Sequence, residues 1–353
     1  MSDFAQQLIR WQTVHGRHTL PWQNTRDPYC IWLSEIMLQQ TQVGTVIAYY
    51  QAFLKRFPDI ASLASASQDD VLVMWSGLGY YSRARNLHVA ARQVMMHHDS
   101  KFPEQIDDIV ALPGIGRSTA AAIAAFAFGA HAAILDGNVK RVLARHFGIS
   151  GYPGEKKTET TLWLLAESLL PAQRVDTYTQ ALMDFGATLC TRSKPVCQRC
   201  PVQTGCAAFA SNCVHLLPTP RPKKTLPQKS VRMLILHRNG EIMLEKRADT
   251  GIWGGLWSLP ELALQHDIEQ HCSETFGLTV TTSGHLPLLR HSFTHFHLHI
   301  TPEILSVSTD ASQTTPAQHN WFTPAAALAA GIPTPVRKLL QQLHATDTGA
   351  LCA

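Results

Sequence analysis

The apolar pattern of this 353-residue chain changes period at one place, and that change divides the fold. Before His215, apolar residues recur at helical spacing in long segments that end at Gly or Pro, which predicts an all-helical region. Beyond Ser230 come short β-rich runs such as VRMLILHRNGEIMLEKR, where Asn239-Gly240 between two apolar strands predicts a hairpin. The stretch between them, HLLPTPRPKKTLPQKS, holds four prolines and four basic residues without apolar periodicity and reads as an extended linker. One long helix is expected near the end, around AALAAGIPTPVRKLLQQL. The expected architecture is multidomain, an all-α region followed by an α+β domain.

A second constraint is the run CTRSKPVCQRCPVQTGC. Cys190, Cys197, Cys200 and Cys206 are separated by gaps of six, two and five residues. Eight cysteines in all are too few for a disulfide scaffold, and half of them crowd here, so the cluster points to metal in a reducing compartment. Spacing alone leaves a four-cysteine zinc site and an iron–sulfur cluster equally open. The opening MSDFAQQLIRWQTVHGRHTLPWQ has no apolar core after a basic start, and no signal peptide is expected. The Ala-rich stretch from Thr119 to Leu135 is short for a bilayer and interrupted by Gly129 and His131, so a buried helix followed by a turn is expected. A net charge of +4 favours a polyanion partner only mildly.

In IDDIVALPGIGRSTAAAIAAFAFG, a short helix over Ile106–Ala111 is followed by the turn Pro113-Gly114-Ile115-Gly116 and a longer helix from Arg117. Gly114 and Gly116 leave backbone N–H groups uncovered at a helix N-terminus, where a phosphate oxygen is favoured; a plain helix–helix turn is the alternative. Two carboxylates stand out. Glu35 lies two turns into the helix that Asp27 and Pro28 begin, among Ile31, Trp32, Leu33, Ile36 and Met37. It either occupies a narrow wet face or holds a raised pKa. Asp136 sits at a predicted N-cap, either a structural cap or an anion stabilised by backbone donors. As a pair they suit an acid and an electrostatic partner for a bond whose cleavage leaves a cationic sugar.

The strings SEIMLQQTQV, GLGYYSRARNL, LPGIGRSTA and LDGNVKRVL, with the four cysteines, occur in the order that resembles the endonuclease III-like superfamily of DNA glycosylases. Within it the chain is most similar to the MutY-type adenine glycosylases. The resemblance implies an all-α helix-hairpin-helix region with an iron–sulfur loop over 1–213, a linker over 214–230 and a Nudix-like lesion-recognition domain over 231–345. It implies a base excision repair enzyme removing adenine opposite 8-oxoguanine or guanine in duplex DNA. Glu35 is the expected acid toward adenine, Asp136 the stabiliser of the oxocarbenium-like sugar, and Asn138 the residue that orients water and sugar. Ser118, Trp22 and Gln180 are expected to line the pocket. Gln40, Thr41, Leu78 and Tyr80 are expected to probe the opposite base and wedge the duplex, with Arg83 and Arg85 contacting phosphate beside an aromatic pair; a buried turn is the alternative for Leu78 and Tyr80.

The same resemblance assigns a 4Fe–4S cluster to the four cysteines, in a loop presenting Arg192, Lys194 and Arg199 to DNA phosphate. Cys30, Cys213, Cys272 and Cys352 read as ordinary thiols. Ser118 stands where lyase relatives carry lysine, so base excision without strong strand cleavage is expected, although Lys140 beside Asp136 keeps a weak lyase activity open. GIWGGLWSLPE resembles the start of a Nudix fold, but IEQHCSETFGL lacks the paired glutamates of the metal-binding helix, which implies binding rather than nucleotide hydrolysis. In LRHSFTHFHLHI, Phe293, Thr294 and His295 match the loop that senses 8-oxoguanine, with threonine where serine is common. The expected protein is a monomer in the bacterial cytoplasm, without membrane contact. The competing expectations are a bifunctional glycosylase and lyase of the endonuclease III type, and a non-catalytic mismatch-binding protein.

Overall fold

Helix starts in this protein are set by local capping chemistry. Asp27 accepts the N–H of Tyr29 at 2.9 Å with Pro28 in the first turn, and Asp136 accepts the N–H of Val139 at 2.7 Å. The computed structural model describes residues 2–222, 225–308 and 318–350. Its helices in chain order are α1 (Asp3–His15), α2 (Pro28–Leu38), α3 (Val43–Arg56), α4 (Ile60–Ser65), α5 (Gln68–Trp75) and α6 (Ser82–His97). They continue as α7 (Ile106–Ala111), α8 (Arg117–Phe128), α9 (Gly137–His146), α10 (Lys156–Ser168), α11 (Val175–Thr188) and α12 (Ala207–Ala210). Two compact units result, one of Met1–Ser65 with Asn86–Lys223, the other of Ala66–Arg85 with Lys224–Ala353.

In the first unit, α1 and α9 pack on α11, and α2 packs on α8. Phe4, Leu8, Trp11, Leu135, Leu143, Leu162, Tyr178 and Phe185 share its core, each such side chain contributing about 1.5–3 kcal/mol of burial. The Ala-rich α8 is buried along Ala120–Ala125 and stops at Gly129, whose φ of 70° makes the left-handed cap. That is the buried helix and turn expected of Thr119–Leu135. Among the described residues no helix is long and apolar enough to cross a membrane. Part of the segment read as linker is held to this unit: Arg145 donates to the Leu217 carbonyl at 2.8 Å, and the Gly151 N–H donates to Thr219 at 3.1 Å.

The second unit is built on a mixed sheet. Its strands are β1 (Gln228–Arg238), β2 (Glu241–Lys246), β3 (Trp257–Ser258), β4 (Glu261–Leu262), β5 (Val280–His285), β6 (Leu289–Ser292), β7 (His297–Val307) and β8 (His319–Phe322). β1 begins inside the proline-rich segment and runs parallel to β7, antiparallel to β2. The β1–β2 turn is Asn239-Gly240, with φ of 48° and 78°, the double left-handed conformation a two-residue hairpin requires. α13 (Ile268–Phe276) covers Leu234, Leu236, Met243 and Leu305 with Cys272 and Phe276. The single long helix expected near the end is two, α14 (Pro324–Ala329) and α15 (Thr334–Ala350). Gly331 and Pro333 fall between them, and proline's missing N–H stops helical bonding from running through.

The hairpin of residues 66–85 is tied to the C-terminal strands and helices of its unit. Gln68 donates to Asp249 at 2.8 Å, Lys246 pairs with Asp69, and Tyr81 and Ser76 both donate to the Ile332 carbonyl at 3.3 Å. Arg85 reaches the Gly254 carbonyl at 2.7 Å.

Candidate active site

A cavity of about 1230 Å³ opens between α2, the first turn of α8, the start of α9 and α11. Glu35, Asp136, Asn138, Ser118, Trp22, Gln40, Thr41 and Gln180 all line it. Glu35 is only half-buried, because it faces the cavity, but Ile31, Leu33, Ile36 and Met37 around it are buried and no described residue donates a hydrogen bond to it. Desolvation, with the charge of Asp136 added, pushes its carboxyl up to about 8.

Asp136 differs from the expectation of a plainly stabilised anion. Burial raises its carboxyl too, and the N–H groups of Val139 and Asn138 and the charges of Arg141 and Lys140 offset this only in part. The two acids still diverge. Asp136 has backbone donors and two cations for its anion while Glu35 has none, so the proton of the pair belongs on Glu35.

Ser118 is oriented by its backbone neighbour, since the Leu135 N–H donates to its hydroxyl at 2.9 Å. Asn138 is oriented by Arg141, which donates to its side-chain oxygen at 2.9 Å and leaves the amide NH2 for the cavity. Arg141 also binds the carbonyls of Gly186 at 2.7 Å and Cys190 at 2.9 Å. A Cβ at Gly186 would lie 2.6 Å from that of Asn138, so only glycine lets α11 approach α9 this closely. Trp22 is buried edge-on against Tyr50 at 5.4 Å, and Gln180 donates to the fully buried Asp184, which also pairs with Arg17 at 2.6 Å. Gln40 closes the end of α2 at a φ of 58°, unusual for glutamine and a mark of local constraint. Arg141, Gly186 and Asp184 escape sequence reading because the contacts that give them meaning, to Gly186 and Cys190, to Asn138 and to Arg17, come from distant parts of the chain.

Gly114 takes a φ of 81° and packs against Asn86, where a Cβ would meet the Asn86 side chain at 2.9 Å. Gly116 has open space beyond its Cα and caps α8, leaving the first-turn N–H groups uncovered. Neither glycine lines the cavity. In the cysteine loop, Cys190, Cys197, Cys200 and Cys206 are free thiols lining one cavity with Arg145, Gln203 and Phe209. Arg145 lies 3.6 Å from Cys190 Sγ and donates to the carbonyls of Thr191 at 2.7 Å and Arg192 at 3.0 Å. Among the described residues no three His, Cys, Asp or Glu side chains are grouped as ligands of one ion would be. Arg192, Lys194 and Arg199 are exposed along the loop, Cys30 and Cys213 are half-buried, Cys272 is buried in the sheet unit, and Cys352 lies outside the described residues.

In the second unit, Leu78 is buried and Tyr80 is 43% exposed with a φ of 49°. Arg83 and Arg85 do not present themselves to phosphate as expected. Arg83 is buried and donates to the carbonyls of Leu78 and Gly79 at 3.3 and 3.2 Å, and burial lowers it to about 10. Arg85 is taken up by Gly254. The turn between β6 and β7 carries Phe293, half-buried against Phe296 at 4.5 Å, and the exposed Thr294 and His295.

Residues 33–168 match the family described as HhH-GPD superfamily base excision DNA repair protein, and residues 231–342 match the NUDIX domain. The chain is 37% identical over 346 residues to an adenine DNA glycosylase of Buchnera aphidicola subsp. Baizongia pistaciae, covering 98% of each. It is 32% identical to the adenine DNA glycosylase of Mus musculus over 97% of this chain and 78% of that one. Among solved structures, a thermostable thymine-DNA glycosylase aligns at a TM-score of 0.55 and 31% identity, covering 59% of this chain and 95% of that one. A non-covalent endonuclease III–DNA complex aligns at 0.51 and 18% identity over the same 59% of this chain and 94% of its own, a likeness of fold.

Proposed function

The chain belongs to the adenine DNA glycosylases, base excision repair enzymes of the helix-hairpin-helix superfamily, and we propose that its substrate is adenine mispaired with 8-oxoguanine or guanine in duplex DNA. The observation that carries the mechanism is the pair Glu35 and Asp136 in one cavity, the first without donors and the second surrounded by them.

Glu35 gives its proton to N7 of the flipped adenine, so that the electrons of the breaking C1′–N9 bond pass into a neutral leaving base. The sugar becomes cationic at C1′, and the Asp136 carboxylate faces and stabilises it. Water held by the Asn138 amide adds to C1′, releases a proton and leaves an abasic site. Trp22, Gln180 and Ser118 shape the base pocket, and Gln40 and Thr41 bear on the pair at the end of α2. A lyase step needs a free amine. Ser118 supplies none, and Lys140 is held by Glu159. An endonuclease III-type reaction is therefore disfavoured.

The duplex partner is gripped through its phosphates by the amides at Gly114 and Gly116 and by Arg192, Lys194 and Arg199. Tyr80, the exposed one of the pair, enters the opened duplex while Leu78 stays buried in the turn, and Phe293, Thr294 and His295 sense the opposite base in a Nudix-like domain over 231–345, joined by the segment 214–230 to the catalytic region 1–213. The protein acts as a monomer on nucleoid DNA in the bacterial cytoplasm.

Cys190, Cys197, Cys200 and Cys206 fit a 4Fe–4S cluster. They are unpaired and line one cavity with the cation of Arg145. Burial pushes the Cys200 thiol up to about 12, so it ionises when metal binds rather than before. When bound, the cluster supplies a cross-link that fixes the loop, with no part in bond cleavage.

The test is Glu35→Gln under single turnover. Binding of an A:8-oxoguanine duplex should persist while adenine release is lost, and borohydride should trap no adduct with the wild-type enzyme. Unchanged release from the variant would remove Glu35 as the acid and favour a binding role for the pair.

A further inference from the structure

Trp253 has a φ of 57°, a left-handed backbone that bulky residues avoid. Its neighbours explain how it is kept there. Gly251 and Gly255 take φ of 82° and 75°, and a Cβ at Gly254 would lie 2.5 Å from the Asp249 carbonyl oxygen, so the turn closes only with glycine at that point. Arg247 donates to the Ile252 carbonyl at 3.2 Å, and Arg85 donates to the Gly254 carbonyl at 2.7 Å. The two guanidinium groups thus clamp the peptide on either side of the tryptophan.

The result is the direction of one ring. The Trp253 indole is buried, 5.8 Å from the ring of His291 and 5.4 Å from that of Phe293, and those two rings meet edge-on at 4.6 Å. Burial, with the charge of Lys338 added, lowers His291, so a neutral imidazole sits in this aromatic group. Strain kept at a single tryptophan, clamped from both sides, is the usual sign that the conformation serves something.

We propose that Trp253 is a positioning residue for recognition of the opposite base, its ring setting where Phe293 stands. The inference rests on reading Phe293, Thr294 and His295 as the recognition loop. It adds a link: Arg85 belongs to the same hairpin as Tyr80, so the residue assigned to wedging the duplex and those assigned to reading the lesion share one clamp.

The experiment uses the full-length enzyme with its cluster and duplexes carrying a non-cleavable adenine analogue opposite 8-oxoguanine or guanine. Dissociation constants are measured for Trp253→Ala, Trp253→Phe, Arg85→Met, Phe293→Ala and the Trp253→Ala/Phe293→Ala double variant. The preference for 8-oxoguanine should fall roughly 3- to 10-fold in Trp253→Ala, the scale of a lost aromatic pair. Trp253→Phe should recover most of it, and Arg85→Met should shift it the same way with the ring intact. The double variant should be no worse than Phe293→Ala, because the two act as one element.

Preserved preference in Trp253→Ala and Arg85→Met while Phe293→Ala loses it would overturn the proposal and leave the loop assignment standing. Equal losses on both duplexes with additive single effects would also overturn it, reducing Trp253 to a packing residue. Preserved preference in Phe293→Ala would instead overturn the loop assignment itself. Should Trp253→Ala fail to fold, the Phe and Arg85 variants carry the same comparison.

Discussion

The backbone N–H of Leu135 donates to the hydroxyl of Ser118 at 2.9 Å, and the next residue along is Asp136. One hydrogen bond thus fixes the first turn of α8 to the strand-like approach to the cavity's carboxylate. The Ser118 hydroxyl therefore has a structural task at the wall of the cavity.

Ser118→Ala leaves the Leu135 N–H without its acceptor. Thermal or denaturant unfolding should show a loss of about 1–2 kcal/mol. Adenine excision should fall as well, through the altered approach of Asp136, while duplex binding stays close to wild type.

Glu35 supplies the pH dependence. Its carboxyl is raised from 4.5 to about 8, so single-turnover excision should hold around neutrality, fall as pH rises through about 8, and fall on the acid side as Asp136, itself raised by burial, takes up a proton. The sign for stability is the same. The folded state holds the proton more tightly than the unfolded chain, so this contribution is full below 4.5 and is lost as pH passes about 8. Glu35→Gln should therefore gain stability relative to wild type on going from pH 5 to pH 9. A constant difference in unfolding midpoint across that range would contradict the assignment.

Gly186→Ala places a methyl group 2.6 Å from the Cβ of Asn138. The displaced amide should lower excision roughly 10- to 100-fold, the cost of misplacing a positioned group by about an ångström. Combined with Asn138→Ala, the added alanine should cause little further loss, which kinetics on the double variant would reveal.

Removing one thiol tests the cluster assignment. Cys200→Ser should lose bound iron and its visible absorbance and unfold at lower temperature, because metal binding is coupled to folding of the loop. Cys30→Ser, outside the loop, should keep its iron. Retained iron in Cys200→Ser would contradict the ligand set.

Much of this site could be read from the chain because its parts are local. The caps at Asp27 and Asp136, the α7–α8 turn and the Asn239-Gly240 hairpin depend on neighbours a few residues away, and all are where the patterning put them. The misreadings are non-local. Arg83 and Arg85 look like phosphate contacts until the carbonyls of Leu78, Gly79 and Gly254 take them up. Asp136 looks like a plain anion until the walls of the cavity desolvate it. Gly186 carries no motif at all, and its meaning comes only from the helix that approaches it.

Mispair-directed adenine excision is tested most directly by cleavage of three duplexes, with adenine opposite 8-oxoguanine, adenine opposite thymine, and thymine glycol opposite adenine, each analysed with and without hot alkali. Strand breaks are expected only at adenine opposite 8-oxoguanine, and only after alkali. Alkali-independent breaks at thymine glycol, or no breaks in any duplex from protein with its iron in place, would contradict that activity.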